Sequence, residues 1–253
     1  MVYRNQITEA HKVTELETIQ VKLNKAIAND FGRVAVILEG RDTAGKSGTI
    51  REVTHYLPTY SYSVSLSSKP SKHDMQHWLP FWKSKMPSSN QMVFFDRSWY
   101  SRAMVQKING WCTEKQYNKF MAKVNGWEER QKGITFIKFW LSISEEEQAR
   151  RLEERKKNPL KSWKLSENDE KALSYYDTMT LLKERVITTC GDWHTIDYNN
   201  KEDGRLNLIT KLVKILENKN EQSKEGFQYE SEGAISRRSG YNTSCNRLPQ
   251  QLS

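Results

Sequence analysis

The amino-acid sequence predicts an α/β fold, a three-layer sandwich in which a mostly parallel five-stranded sheet is covered by helices on both faces. Two observations support this prediction. Short apolar runs rich in β-branched and aromatic residues alternate with amphipathic segments, a pattern typical of parallel strands joined by helical crossovers. A glycine-containing turn at residues 40–47 also joins the first run directly to a helical segment, as in doubly wound α/β proteins.

Five segments are predicted to be strands. The first, RVAVILE at 33–39, is a short β-branched run of the kind buried in parallel sheets. The other predicted strands are residues 61–66, 91–96, 134–143 and 193–198. Helical segments separate them, so neighbouring strands are expected to be parallel.

Helices are predicted where apolar residues recur at helical spacing. In the segment 8–29, Leu16, Ile19 and Leu23 fall on one face. The segment 144–157 begins with a serine followed by three glutamates, which is typical of a helix start. The other predicted helices are about 46–57, 73–86, 98–106, 113–132, 170–188 and 201–218.

The chain is predicted to form one domain, residues 1–220, followed by a disordered tail at 221–253. The tail is rich in serine, glycine and asparagine, and its four acidic residues balance its four basic ones. The formal net charge of +9 therefore belongs to the domain and points to a polyanionic partner. An ordinary basic surface is the alternative explanation.

Composition argues against several classes of protein. The longest uninterrupted apolar run, Val34 to Leu38, is far shorter than the ~20 residues of a membrane helix. The first residues lack the apolar core of a secretory signal. The three cysteines are too widely spaced for a disulfide framework or a zinc site. We therefore expect a cytoplasmic enzyme or binding protein with no membrane partner.

Residues 40–47, GRDTAGKS, match the phosphate-binding loop pattern G-x-x-x-x-G-K-[ST] between a strand and a helix. Its glycines let backbone N–H groups approach phosphate oxygens, and the helix N-terminus adds partial positive charge. Lys46 can reach the transferred and bridging phosphates. The predicted phosphate-binding residues are Gly40, Thr43, Ala44, Gly45, Lys46, Ser47 and Gly48.

Two acidic residues predict a metal site beside this loop. Asp96 ends an apolar strand, where enzymes with a phosphate-binding loop hold magnesium. Asp42 lies inside the loop, where a carboxylate would repel phosphates unless a cation lay between them. We therefore expect Mg²⁺, with Mn²⁺ as an alternative, to be held by Asp42 and Asp96.

Basic residues accompany these acids in two places. Arg97 and Arg102 follow Asp96, in positions suited to bidentate phosphate contacts. Residues 150–164 hold seven basic and two acidic side chains and are interrupted by a proline. This stretch predicts a lid at about 150–170 that closes over the reaction and excludes water. Surface salt bridges and a solvated helix face are the alternatives.

Four segments occur in the order seen in polyphosphate kinase family 2: EGRDTAGKSGTI at 39–50, VFFDRSWYSRA at 93–103, GWCTEKQY at 110–117 and NPLKSWKLSEND at 158–169. The sequence resembles this family over about residues 10–218. The resemblance implies a phosphate-loop kinase fold with a helical lid. It also implies phosphoryl transfer between inorganic polyphosphate and nucleotides, and a homodimer or homotetramer.

The opening EGRD is similar to the subgroup that phosphorylates nucleoside diphosphates, so ADP to ATP and GDP to GTP are the implied reactions. By resemblance, the catalytic residues are Asp42, Lys46, Asp96, Arg97 and Arg102. The lid residues implied to contact polyphosphate are Arg151, Arg155, Lys161 and Lys164. The sequence departs from the family pattern at Ser47, Ser101 and Asn158, none of which removes a charged group.

Two other functions fit part of this pattern. An ATP-dependent nucleotide kinase explains the loop and Asp96, but not the acid at Asp42 or the density of bases in 150–164. A non-catalytic binder of nucleic acid or another polyanion explains the net charge, but not the intact set of Lys46, Asp42 and Asp96. We therefore expect direct, magnesium-assisted in-line transfer, with nucleic acid a less favoured partner.

Overall fold

A single parallel sheet organises the chain in the computed structural model, which describes residues 2–28, 30–66, 70–162, 165, 169 and 171–239. Its strand order is β2-β3-β1-β4-β5, and every neighbouring pair is parallel. The strands are β1 (Arg33–Gly40), β2 (Tyr62–Leu66), β3 (Gln91–Asp96), β4 (Ile134–Ser142) and β5 (Trp193–Asp197). The predicted five-stranded sheet is confirmed.

Helices connect the strands on both sides of the sheet. They are α1 (Val2–Ile27), α2 (Lys46–Thr54), α3 (Lys72–Gln76), α4 (Trp78–Lys83), α5 (Val105–Ile108), α6 (Glu114–Glu129), α7 (Glu145–Lys157), α8 (Pro159–Ser162), α9 (Tyr176–Thr189) and α10 (Lys201–Ser239). Short 3₁₀ helices span Thr59–Ser61 and Trp99–Arg102. Among the described residues, no helix has both the length and the apolar content needed to cross a membrane.

Strand β1 shows why the fold has three layers. Val36 and Leu38 point into one apolar core, whereas Ala35 and Ile37 point into another, because successive side chains of a strand alternate between faces. Helices α1, α2 and α10 cover the first core. Helices α4, α6 and α9 cover the second, which is rich in aromatic rings. The predicted three-layer sandwich is confirmed.

The register of the sheet brings the predicted site residues together at the carboxyl ends of the central strands. Leu38 of β1 lies beside Asp96 of β3, and Gly40 lies beside Leu141 of β4. The carboxyl ends of β1 and β3 therefore emerge together, which is where α/β proteins bind ligands. The turn 41–45 and the turn 97–98 leave the sheet at this edge.

Two helices begin about six residues away from their predicted starts, at Val2 and Tyr176, and three further predictions differ in kind or in length. Residues 73–86 form two helices, because the chain turns at His77 and thereby buries Trp78 and Trp82. Residues 98–106 form a 3₁₀ helix and the start of α5 rather than one α-helix. The last helix continues beyond 218 to Ser239, since no proline stops it before Pro249. Of the predicted tail, residues 240–253 lie outside the described part of the chain.

Candidate active site

The loop between β1 and α2 is built around the Lys46 side chain. Lys46 is buried, and its Nζ donates hydrogen bonds to the carbonyl oxygens of Gly40 (3.0 Å) and Arg41 (2.9 Å). Gly45 precedes α2 with a φ of 112°, which favours glycine. At Gly40, a Cβ atom would lie 2.7 Å from the Leu141 carbonyl oxygen. The loop thus wraps around its own lysine, whose ammonium group binds two of the loop's carbonyl oxygens.

Lys46 is easier to deprotonate than an ordinary lysine. Burial, followed by repulsion from Arg97, lowers its pKa to about 8, although Asp96 and Asp42 oppose the shift. Phosphate oxygens would stabilise the charged form in the same way as those carboxylates do. The ammonium group is therefore mostly charged at pH 7, but the charged fraction falls quickly as the pH rises past the pKa of about 8.

Both predicted acids lie in the cleft beside the loop, and each contacts a neighbouring side chain. Arg97 forms an ion pair with Asp42, and the Ser47 hydroxyl donates a hydrogen bond to Asp96. Burial works against ionisation of Asp42, but the positive charges of Arg97 and Lys46 outweigh it and hold its pKa below the ordinary value. Arg97 itself has a φ of 65°, a strained conformation for a residue with a side chain.

A buried glutamate, which sequence analysis did not select, supports this strained turn. Glu39 ends β1 and is fully buried; its Oε1 accepts hydrogen bonds from the Ser98 backbone N–H (2.8 Å) and hydroxyl (2.9 Å). Burial raises the pKa of Glu39, while Arg97 and Ser98 oppose the rise. Its position in EGRD was visible in the sequence, but its partner lies 59 residues away.

An open cleft of about 630 Å³ runs from the loop along helix α2. Its wall holds seven basic but three acidic side chains, so the lining is strongly positive. The residues that line it are Asp42, Thr43, Gly45, Lys46, Ser47, Gly48, Arg51, Asp96, Arg97, Arg151, Glu154, Arg155, Leu160, Tyr198, Lys201 and Arg205. Arg51, Tyr198, Lys201 and Arg205 were not predicted, because only the fold brings them to the loop.

Tyr198 holds the phosphate loop in place through Thr49. Its hydroxyl lies 2.9 Å from Thr49 Oγ1, which also lies 3.0 Å from the Gly45 carbonyl oxygen. The ring is fully buried, and Gly204 packs so closely that a Cβ atom there would lie 2.8 Å from it. Burial raises the pKa of Tyr198, although its hydrogen bond to Thr49 opposes this. The phenol therefore stays neutral, and its role is to hold Thr49 and the loop in position.

Comparison with known proteins assigns the chain to a family. Residues 4–224 match the family described as Polyphosphate kinase 2. The chain belongs to the polyphosphate kinase 2 family. The predicted resemblance is therefore confirmed, over slightly more of the chain than expected.

Individual members of the polyphosphate kinase 2 family show the extent of the similarity. The chain is 35% identical to a GDP-polyphosphate phosphotransferase of Pseudomonas aeruginosa, covering 85% of this chain and 61% of that protein. It is also 35% identical to ADP-polyphosphate phosphotransferase 1 of Rhizobium meliloti, covering 81% and 71%. A crystal structure of polyphosphate kinase 2 from Pseudomonas aeruginosa superimposes with a TM-score of 0.77 at 28% identity, covering 83% and 47%. The chain thus spans less than two thirds of the length of either Pseudomonas protein.

Arg151, one of the lid residues implied by the resemblance to the polyphosphate kinase 2 family, makes all of its hydrogen bonds within the protein. Arg151 is buried and uses all five of its N–H donors. Its acceptors are the Glu147 carboxylate (2.6 Å) and the backbone carbonyls of Thr43 (3.2 Å), Ala44 (3.2 Å), Tyr198 (2.6 Å) and Asn199 (3.1 Å). Arg151 therefore ties the loop to the end of β5 and has no donor left for a phosphate.

The remaining lid residues have different surroundings. Arg155 lines the cleft, and its guanidinium donates a hydrogen bond to Asp169 over 2.7 Å. Lys161 falls within α8, but its side chain lies outside the described part of the structure, as does the whole of Lys164. The lid prediction therefore rests on Arg155 alone among the residues whose side chains are described.

Arg102 occupies a different place from the one predicted. It is buried on the far side of the 3₁₀ helix, where it donates to the Met75 carbonyl oxygen (2.7 Å) and lies 4.8 Å from the centre of the Trp78 ring. It lines a separate pocket bounded by α3, α4 and α6 and is absent from the lining of the loop cleft. The 3₁₀ geometry at Trp99–Arg102 turns this side chain away from Arg97.

The oxygen donors near the loop suit magnesium. Mg²⁺ usually binds one or two carboxylates and completes its octahedron with water and substrate phosphates. Asp42, Asp96 and the Ser47 hydroxyl supply such a set in one cleft. Among the described residues, no cluster of three or more His, Cys, Asp or Glu side chains forms an all-protein metal cage. The donors present therefore fit an ion that arrives with phosphate ligands.

Proposed function

We propose that this chain transfers phosphoryl groups reversibly between inorganic polyphosphate and nucleoside diphosphates, forming ATP from ADP and GTP from GDP. Membership of the polyphosphate kinase 2 family supports the reaction class. The similarity to a GDP-polyphosphate phosphotransferase of Pseudomonas aeruginosa and to an ADP-polyphosphate phosphotransferase of Rhizobium meliloti supports both nucleotide acceptors. The observation that carries the proposal is the combined cleft, in which the phosphate loop, two carboxylates and a positively charged wall face one space.

The residues of the cleft divide the work of in-line transfer. Lys46 and the loop amides stabilise charge on the transferred phosphoryl group, which is where preorganised donors contribute most to phosphoryl transfer. Arg97 contacts phosphate oxygens of donor or acceptor while Asp42 keeps its guanidinium in place. Asp42, Asp96 and Ser47 would hold Mg²⁺, or Mn²⁺ in its place, and the ion would supply positive charge that offsets the repulsion between phosphate groups.

Two further properties belong to the proposal. We propose a cytoplasmic location, which suits the free thiols of Cys112 and Cys190. We also propose a homodimer or homotetramer, as the family resemblance implies. Size-exclusion chromatography with light scattering measures the oligomeric state directly, and a monomer at micromolar concentration contradicts that part of the proposal.

Product formation from ADP and polyphosphate is the decisive test. Purified protein is incubated with ADP, long-chain polyphosphate and Mg²⁺ as the only donor system, and the nucleotides are separated. A parallel reaction contains AMP, and another replaces Mg²⁺ with a chelator. ATP formation that needs Mg²⁺ and is lost in Lys46→Ala supports the proposal. If no ATP forms but added ATP phosphorylates a monophosphate, the protein is an ATP-dependent nucleotide kinase instead.

A further inference from the structure

A second pocket lies apart from the phosphate loop, between helices α3, α4 and α6. It encloses about 330 Å³ and shares no described lining residue with the loop cleft. Its lining residues are Met75, Gln76, His77, Trp78, Leu79, Pro80, Arg102, Gln116, Lys119, Phe120 and Lys123. Three of them carry a positive charge, and none of the described lining residues is acidic. The pocket therefore attracts anions.

Arg102 is the buried charge of this pocket, with 2% of the residue exposed. Its guanidinium donates a hydrogen bond to the Met75 carbonyl oxygen (2.7 Å) and lies 4.8 Å from the centre of the Trp78 ring. Its Nε–H is buried and has no acceptor among the described residues. A carbonyl oxygen and a ring face do not neutralise a full charge, so a buried guanidinium with an unused donor favours an anionic partner.

Arg102 forms no ion pair with a carboxylate in the described part of the chain. Burial lowers the pKa of Arg102, and only the Cys112 side chain opposes the shift. By contrast, Arg97 in the loop cleft forms an ion pair with Asp42. The charge of Arg97 is thus compensated within the protein, whereas that of Arg102 is left for a ligand.

Lys119 and Lys123 add two charges at the mouth of the pocket. Both are exposed on α6 and lie four residues apart, which places their Cβ atoms about 5–6 Å from each other on one helix face. The paired acids of this helix, Glu114 and Glu128, form their ion pairs with lysines of other elements. An anion in the pocket would relieve the repulsion between the two ammonium groups.

We propose that this pocket is a second anion site, in which Arg102, Lys119 and Lys123 bind a small phosphate-bearing molecule away from the phosphate loop. A guanidinium and two ammonium groups match a tetrahedral anion with two or more charges, whereas a single carboxylate would leave most of that charge unpaired. Inorganic pyrophosphate and a nucleoside monophosphate carry the same group, and the test separates these two sources. The inference does not depend on the proposed function.

Fluorine NMR of the whole chain labelled with 5-fluorotryptophan observes the pocket directly. Trp78 lines the pocket, whereas no tryptophan is among the described residues of the loop cleft. The Trp78 resonance therefore reports this pocket rather than the loop, and its loss in Trp78→Phe assigns it. Pyrophosphate, AMP and acetate, the last as a singly charged control, are titrated at constant ionic strength.

Three variants test the proposed ligands of the anion. Lys119→Ala/Lys123→Ala removes two exposed charges that the fold does not need. Lys115→Ala/Arg130→Ala is the matched control, because it removes two exposed charges from α6 and its C-terminal end, outside the pocket. Arg102→Gln removes the buried charge and keeps a donor for the Met75 carbonyl oxygen, and circular dichroism checks its fold.

We expect pyrophosphate to shift the Trp78 resonance saturably in the wild type, while acetate leaves it in place. The dissociation constant should rise about 3- to 10-fold in the double lysine variant, as for the loss of two exposed charge contacts. It should change by less than about twofold in the matched control. Folded Arg102→Gln should show no saturable shift over the same concentrations. Equal affinities for AMP and pyrophosphate assign the site to the phosphate group alone, and tighter binding of one of them identifies the source.

Three results would overturn the site. If neither pyrophosphate nor AMP gives a saturable shift, Arg102 serves only to tie the 3₁₀ helix to α3. If the double lysine variant and its matched control bind pyrophosphate as tightly as the wild type does, the lysines contact no ligand. An acetate shift that saturates as readily as that of pyrophosphate would remove the preference for phosphate.

Discussion

Helix α7 and the wall formed by α2 and the start of α10 are both rich in basic residues, but they use their charges differently. On α7, Arg150 pairs with Glu147 and Glu154, and Arg151 is saturated by a carboxylate and four carbonyls. On the opposite wall, Arg51 and Arg205 come from separate elements and remain at least partly open to the cleft. Basic residues that are consecutive in the sequence, on α7, are therefore used mainly in contacts within the protein. The basic side chains that stay open to the cleft come from two helices that only the fold brings together.

Replacing Lys46 with alanine should lower kcat more than replacing any basic residue of either wall. Lys46 begins α2 and is the only one of these bases buried inside the loop. We expect kcat for ATP formation to fall roughly 10²–10³-fold, as on removal of one preorganised electrostatic donor. Steady-state kinetics with polyphosphate and ADP measure the change. Near-normal turnover would remove Lys46, and with it the loop assignment, from the chemistry.

Loss of Arg151 should chiefly reduce stability. Arg151→Ala removes the donor from four backbone carbonyl groups, two of which are in buried hydrogen bonds, while Glu147 keeps its ion pair with Arg150. We therefore expect a loss of about 2–4 kcal/mol in the free energy of unfolding. Arg150→Ala, one residue away and exposed, is the control and should change it by less than about 0.5 kcal/mol. Urea unfolding followed by tryptophan fluorescence compares them. Similar losses in both variants would mean that α7 does not tie the loop down.

The pH profile should distinguish the buried lysine from the exposed arginines. Because the pKa of Lys46 in the free protein is about 8, we expect kcat/KM to fall about tenfold per pH unit above that value. The unfolded lysine keeps a pKa near 10.5, so the unfolded chain binds more protons between the two values, and this group makes unfolding costlier as pH rises through that window. A kcat/KM that stays level up to pH 10 contradicts a lysine of lowered pKa in the loop.

Arg155 tests whether α7 also supplies a functional charge. It lines the cleft with 22% of its side chain exposed, so it is less open to ligand than the arginine on α2. We expect Arg155→Ala to raise KM for polyphosphate about 2- to 5-fold, and Arg155→Lys to recover most of that loss. An unchanged KM in Arg155→Ala would show that α7 supplies no charge that polyphosphate contacts.

The predictable part of the fold came from local patterns. Strands β1 and β3 were placed to within one residue, because buried β-branched runs have sharp polar or glycine borders. The split at His77 was missed, because it depends on where Trp78 and Trp82 find the core. The length of α10 was not predicted, because the serine- and glycine-containing composition after residue 220 is more typical of a disordered tail than of a helix.

The candidate site also has a part that the sequence predicted and a part that it did not. The loop and Asp96 are contiguous motifs, so the sequence contained their spacing and their chemistry. The roles of Glu39 and Tyr198 depend on partners at Ser98 and Thr49 that lie far away along the chain. Arg102 was grouped with Arg97 because they are neighbours in sequence, but the 3₁₀ helix between them sends the two side chains to opposite sides.

The pairing of Gly40 with Leu141 has a consequence for how the protein is made. The central strand leaves the ribosome before either of its neighbours, and its last partner residue is synthesised 101 positions later. At translation rates of about 5–20 residues per second, that interval is about 5–20 s. Until β3 has also been synthesised, the apolar segment Val34–Leu38 has no neighbouring strand to pair with. The nascent chain therefore exposes an unpaired apolar strand for several seconds, and such a strand is prone to aggregation until its neighbours are made.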